Sequence, residues 1–315
     1  MGAVPVPLGD VIGALVHGLP ADPGAAGIIT GLRLPRLLSA IAVGAALAAA
    51  GTALQALFRN PLADPGLLGV STGAALGAAL WFTGGAALAA LLPAVAPFLL
   101  PAASFAGALG AIALVLLLGS RAGPQATILM LLVGIGVNAL GAAVIGLVTY
   151  LATDAELRSL SVWLLGSLAQ SQWTILLPAL LVLAAAVAGL ARHAAALDLL
   201  ALGEDGARHL GVDVPALRRS LALLSAMAVG AAVSLSGIIG FVGLVVPHML
   251  RLLVGPGHRS LLPLSVLGGA VAVSLADLVA RLVALPAEVP VGVVMAFAGA
   301  PAFLWVLLSQ WRKLG

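Results

Sequence analysis

The sequence predicts an all-α protein, a polytopic bundle of membrane helices built on an inverted repeat. Three observations carry this. Hydrophobic residues make up 62% of the 315 positions and charged residues 8%, against about 25% charge in a soluble domain. Apolar stretches of the length that crosses a bilayer, about twenty residues, recur along the whole chain. Finally, Ala42-Val43-Gly44-Ala45-Ala46 followed by Gly51 returns as Ala228-Val229-Gly230-Ala231-Ala232 followed by Gly237, with Pro61 and Pro247 at the same offset. The two copies fall on spans expected to run in opposite directions, the pattern of inverted-topology transporters.

The elements follow in order. Residues 1–31 read as an extracytoplasmic N-terminal segment. Its apolar piece, Val11–Leu19, is short, is followed by Pro20 and Pro23, and lacks the positive start of a signal peptide. Residues 32–315 form one transmembrane domain, with nine spans expected near 35–57, 67–90, 98–119, 128–150, 173–191, 216–236, 238–254, 262–283 and 290–310. Pro93, Pro97 and Pro101 mark one turn and Arg121–Gln125 another. Thr153–Arg158 is a polar connection. It leads into Leu160–Leu168, which is too short to cross and reads as a re-entrant or interfacial helix.

Orientation comes from the distribution of cations. With Arg312 and Lys313 inside, nine spans also place Arg59, Arg121, Arg192, Arg208, Arg218, Arg219, Arg251 and Arg259 inside. Arg33, Arg36, Arg158 and Arg281 fall outside, together with the N-terminus.

The residue inventory excludes several chemistries. The single lysine, Lys313, follows no glycine-rich loop, so no Walker A phosphate cradle forms here. The absence of cysteine removes disulfides, thiol catalysis and thiolate metal sites. Gly69-Val-Ser-Thr-Gly73 matches the nucleophile-elbow spacing. It opens an apolar helix, however, and Gly73 with Gly77 suits a close-packing face. His248 and His258 have no His or carboxylate four residues on, so no metal site is expected. Asp277 and Arg281 are spaced i,i+4 in the favourable order. They are either a neutralising pair, or Arg281 reaches an outer partner. Gln55 and Asn138, polar within spans, either bond helix to helix or line a pathway, and Asn60 is a further candidate of that kind. Around Leu199–Arg219, Glu204 and Asp205 suit the start of a short helix and Arg208 and His209 its end. Gly211 can stop that helix in a left-handed conformation. The segment is either a solvated loop or a docking helix for a soluble subunit.

An ordered series of motifs resembles the FecCD-type permeases of bacterial ABC importers, which serve iron–siderophore, haem and cobalamin uptake. The series begins with Arg33-Leu-Pro-Arg36, then Gly51 with Gln55, and Arg59-Asn60-Pro-Leu-Ala-Asp-Pro65 with Leu68-Gly-Val-Ser-Thr-Gly-Ala74. It continues through Leu200-Ala-Leu-Gly-Glu204 with Ala207, Arg208, Leu210 and Gly211. Gly240-Phe-Val-Gly-Leu-Val-Val-Pro-His248 follows, with Arg251, His258-Arg259 and Leu262-Pro263. It closes with Ala276-Asp277, Arg281, Glu288-Val-Pro-Val-Gly292 and Gly299-Ala-Pro-Ala-Phe303. The resemblance spans about residues 6–312.

The resemblance implies a multi-pass inner-membrane permease that pairs with a second copy of itself. Two ATPase subunits would dock on the cytoplasmic coupling loop, about 197–215, through Glu204, Asp205, Arg208, His209, Leu210 and Gly211. ATP and Mg would be used by those subunits, with no cofactor on this chain, no catalytic residue and no nucleic-acid partner. A periplasmic binding protein would meet Arg33, Arg36 and Arg281, and Gln125, Ala126, Thr127 and Ile128 would form a cytoplasmic gate. The cargo is expected to be haem or a ferric siderophore, with cobalamin the alternative and an ion-coupled secondary transporter the remoter one. Family members usually begin with one more helix. Val6–Val11 resembles the segment just after it, and a start placed too late is the favoured reading, a truncation or a true nine-span chain being the others.

Overall fold

The computed structural model describes residues 26–119 and 125–311, with Pro7, Gly9 and Gly13 as isolated positions. Most of the expected N-terminal segment, four residues of the Arg121–Gln125 turn, Arg312 and Lys313 lie outside the described residues. The helices are α1 (Leu34–Leu57), α2 (Val70–Leu91), α3 (Ala96–Gly119), α4 (Ala126–Leu151), α5 (Asp154–Leu164), α6 (Trp173–Arg192), α7 (Ala194–Leu200), α8 (Glu204–His209), α9 (Val214–Ser236), α10 (Val242–Val254), α11 (His258–Leu282) and α12 (Val291–Trp311). Among the described residues, seven are long and apolar enough to cross a membrane: α2, α3, α4, α6, α9, α11, and α1 together with a π-helical lead-in, Gly27–Arg33. The boundary expected at residue 31 therefore falls inside a helix.

Side-chain and backbone contacts sort the helix ends. The Trp173 indole N–H donates to the Thr30 carbonyl at 2.7 Å, so α1 and α6 start at the same end. His193 meets Ser220 at 2.8 Å, so α9 starts where α6 stops. Hence α1 and α9 run in opposite directions, as the repeat requires. They are also the two most buried spans.

Their packing partners repeat as well. Cβ atoms added at Gly44 of α1 and Gly269 of α11 would each fall about 2 Å from the other's carbonyl oxygen. Only glycine at both positions lets these backbones touch, the small-residue packing of membrane helices. Gly230, the repeat equivalent of Gly44, sits on α3 against Ala108 and Phe105. The α1–α11 crossing thus has its counterpart in α9–α3.

The spans expected at 67–90 and 238–254 are each part helix and part irregular backbone. After α1 the chain turns at Arg59 (φ 47) and Asn60, whose side chain accepts from Leu62 N–H at 2.9 Å. It then climbs through a short 3₁₀ turn, Pro65–Leu68, before α2 begins. Gly134 of α4 packs on the Leu67 carbonyl. Gly134 lies eight residues into α4, about 12 Å from its start, so α2 begins well inside the bundle. After α9, Gly237 to Phe241 descends without helix, and Phe241 meets Gly299, eight residues into α12. Helix α10 begins there and has only 13 residues, about 20 Å of rise, too little to span alone. Broken backbone at membrane depth survives only where protein or a cavity satisfies it.

Two further expectations need correction. The non-crossing helix begins at Asp154, not Leu160, because Thr153 and Glu156 form a reciprocal capping box. That box holds the Glu156 carboxylate below its usual range, through the Thr153 amide and hydroxyl. Pro97 and Pro101 lie within α3 and do not mark a turn. Pro97 is the second residue of that helix, where a missing N–H costs nothing.

Candidate functional site

Where the two broken segments converge, a cavity of about 580 Å³ opens among α1, α2, α4 and the Ile238–Gly243 stretch. That volume is within the range of small-molecule sites. Its wall is mainly apolar, with Asp64, Ser71 and Thr72 as the polar exceptions.

Two amides secure the broken backbone around it. Buried Gln55 donates from Nε2 to the Gly243 carbonyl at 3.1 Å and to that of Leu244 at 3.2 Å, and its Oε1 accepts from Arg251 Nη2 at 2.9 Å. Asn138 donates to the Gly66 carbonyl at 2.9 Å and accepts from the Thr72 hydroxyl. Of the two readings open for these residues, helix-to-helix bonding is what the geometry displays. Asn138 does so at the cavity edge, since Gly66 and Thr72 line it.

At the end of the bundle where α1 begins, the outer end on the expectation from the cation distribution, Arg36 and Arg281 converge on one carboxylate. Asp277, whose side chain is 2% exposed, takes Arg36 Nη2 at 2.9 Å on Oδ1 and Arg281 Nη2 at 3.1 Å on Oδ2. Arg36 also reaches Glu288 Oε2 at 2.8 Å. The spacing of Asp277 and Arg281 announced their pair. The Arg36 contacts, 241 and 252 residues away in sequence, carried no local signal. Arg33 stands one turn before Arg36 and is half-buried.

At the inner end, α8 is the short helix anticipated, Glu204 to His209, with Gly211 at φ +88 just beyond it. Gly203 enters the helix at φ +102, a conformation that only glycine adopts freely. Within α8 only Ala207 is buried; Asp205, Arg208, His209 and the following Leu210 and Gly211 are exposed. Glu204 turns inward instead. Its Oε1 accepts from Arg218 Nη2 at 2.8 Å and from the Thr127 hydroxyl at 3.2 Å, and its Oε2 accepts from Arg208 Nη2 at 3.2 Å. Two residue sets expected to be separate, coupling and gate, are therefore in direct contact. Among the gate candidates Gln125 and Ile128 are exposed, Thr127 is half-buried and Ala126 is buried. Arg218 had no assigned role in sequence: the turn between α8 and α9 that folds it back onto Glu204 is not legible as spacing. Nearby, His258 Nδ1 contacts Asp198 Oδ1 at 3.0 Å, tying α11 to α7.

Comparison with known proteins agrees with this architecture. The FecCD transport family matches residues 1–309. The chain belongs to that family. It is 47% identical to the hemin transport system permease protein HmuU of Yersinia pestis, over 89% of this chain and 82% of that protein. It is 43% identical to the vitamin B12 import system permease protein BtuC of Vibrio cholerae, with the same coverage. A solved structure, described as an inward-facing conformation of a metal-chelate type ABC transporter, superposes with TM-score 0.83 at 36% identity. It covers 92% of this chain and 90% of its own. As a FecCD member the chain is a permease subunit of an ABC importer, a multi-pass inner-membrane protein of a family that works with ATPase and substrate-binding proteins.

Proposed function

We propose that this permease moves an iron chelate, haem or a ferric siderophore, into the cytoplasm as a homodimer driven by two separate ATPase subunits. The observation that carries the substrate class is the 47% identity to a hemin permease. The neighbouring 43% identity to a vitamin B12 permease keeps cobalamin as the second reading.

On this reading the Arg-rich end is cytoplasmic, and α8 with its exposed charges and Leu210 is the ATPase docking helix. Hydrolysis, with ATP and Mg, belongs to the partner, since Lys313 is the only lysine and follows no phosphate-binding loop. Arg33, Arg36 and Arg281 form the docking rim for a periplasmic binding protein that presents carboxylates. Helix α4 is the most exposed of the seven spans, with Ile128, Leu132 and Ile135 all more than half exposed. It supplies the face for the second copy, with Gln125, Thr127 and Ile128 at its gate end.

The test is hydrolysis by the complex reconstituted with its ATPase and binding protein, offered haem, a ferric hydroxamate siderophore or cyanocobalamin. Stimulation by either iron chelate is expected. Stimulation by cyanocobalamin alone would replace the substrate class. Robust hydrolysis by the isolated, contaminant-free chain would end the importer reading.

A further inference from the structure

We propose that Glu204 is the mechanical link between the ATPase-facing helix α8 and the gate end of α4, with the Thr127 hydroxyl as its contact on the gate side. This rests on the importer reading above. The geometry has three parts. First, one carboxylate oxygen, Oε1, is shared by donors from two different spans, Arg218 of α9 at 2.8 Å and Thr127 of α4 at 3.2 Å. The Arg218 side chain is 6% exposed and that of Glu204 20%, so this pair works in a less screened setting than a surface ion pair. Hydrogen bonds to an ionised acceptor are also the stronger kind.

Second, α8 has few other holds on the bundle. One of its six residues is buried, and positive-φ glycines, Gly203 and Gly211, flank it. Such a helix can be displaced as a unit when a partner grips its exposed face, and Glu204 is the side chain that carries the displacement inward.

Third, the contact point on α4 is connected to the cavity. Thr127 is the second residue of that helix, and Ala142, Ile145 and Gly146 of the same helix line the cavity wall. A continuous helix joins the two over fifteen residues or more, about 23 Å. A shift imposed on Thr127 therefore reaches the cavity through a rigid element. Rigid secondary elements of this kind are one of the physical carriers of coupling between distant sites. Arg218 acts as the positioning residue: it fixes the carboxylate so that α8 cannot move without pulling on α4.

The discriminating variant is Thr127→Val, which removes the hydroxyl, keeps the side-chain shape and leaves the Glu204–Arg218 pair intact. In proteoliposomes holding the complex with its ATPase and binding protein, uptake per ATP hydrolysed is measured with haem, a ferric hydroxamate siderophore and cyanocobalamin as parallel probes. Thr127→Val is expected to lower uptake per ATP by about tenfold, the scale of one charge-assisted hydrogen bond. Thr127→Ser restores most of it, and Glu204→Gln, which loses the charge that Thr127 and Arg218 share, falls at least as far as Thr127→Val. Combining Thr127→Val with Glu204→Gln adds no loss beyond that of Glu204→Gln, because the Thr127 contact is the part the two changes share. A Thr127→Val complex with the wild-type ratio, or a loss that Thr127→Ser does not restore, overturns the link. Wild-type complex assayed in the same vesicles separates the two readings. Uptake by wild type with an unchanged ratio in Thr127→Val removes the link alone. Wild type that carries none of the three probes removes the proposed cargo classes and, with them, the link as a determinant of their uptake.

Discussion

The two ends of the bundle each hold a carboxylate gripped by two arginines, and the difference between them lies in what those arginines belong to. At the outer end Asp277 is 2% exposed and joins Arg36 of α1 to Arg281 of its own helix. Both elements are long spans, already packed at Gly44 and Gly269. At the inner end Glu204 is 20% exposed and joins a span, α9, to its own six-residue helix, one face of which is open to solvent. The same chemical group therefore serves as a strut between two fixed elements in one place and as a tether on a movable element in the other. Burial of the carboxylate does not by itself tell the two apart; the size and packing of what it holds does.

The comparison breaks most easily at Asp277. Asp277→Ala leaves Arg36 and Arg281 without their shared partner inside the outer end. Removing one member of a buried pair costs about 3 kcal/mol or more. The purified variant should show a clearly lowered melting temperature in detergent and a reduced folded yield. Normal stability would show that the outer cluster is not a strut. Gly269→Ala comes next. Its added methyl would sit 2.2 Å from the Gly44 carbonyl oxygen, and overpacking of this sort costs about 1–3 kcal/mol, read by the same melt. A wild-type melting temperature would mean that α1 and α11 can part without loss.

A smaller effect is expected at the rim. Arg33→Glu should slow association of the binding protein by about tenfold, because rim charges act mainly on encounter. The wild-type complex should weaken as salt rises. Unchanged association rates at all salt concentrations would remove the docking rim. The smallest effect concerns the α5 cap. The folded-state pKa of Glu156 is lowered by Thr153. Its contribution is thus present above the ordinary glutamate value, about 4.3, and is lost as pH falls through the lowered one. Hydrogen exchange of the first α5 amides should quicken in Glu156→Ala at neutral pH, and the difference from wild type should shrink under acid. A pH-independent difference would argue against the cap.

Much of this architecture was legible in the sequence because lipid imposes a simple code. Apolar length gave the spans, and the Ala-Val-Gly-Ala-Ala repeat gave two inverted halves. Glu204, Asp205, Arg208 and Gly211 announced α8 because helix ends select such residues. What escaped was backbone that leaves the helix inside an apolar stretch. Composition does not distinguish Ile238–Phe241 from a helical turn; only packing partners do, Gly299 on Phe241 and Gly166 on the Ile238 carbonyl. The same limit hid the contacts of Arg36 with Glu288 and of Arg218 with Glu204, which join residues through the fold and not along a helix face. Thr153 and Glu156 are different. The capping box was there to be read, and the polar composition of that stretch masked it.

The central claim, that the exposed face of α8 is where ATP hydrolysis enters this permease, is tested most directly by Arg208→Glu. Arg208 is exposed and its partners Glu204 and Asp205 lie on its own short helix, so surface substitution there should change stability by no more than about 0.5 kcal/mol. The measurement is uptake per ATP in proteoliposomes containing the ATPase and binding protein. The account predicts a folded, membrane-inserted variant whose uptake per ATP is largely lost. Normal uptake and normal hydrolysis in Arg208→Glu would contradict it and leave α8 a surface helix with no part in coupling.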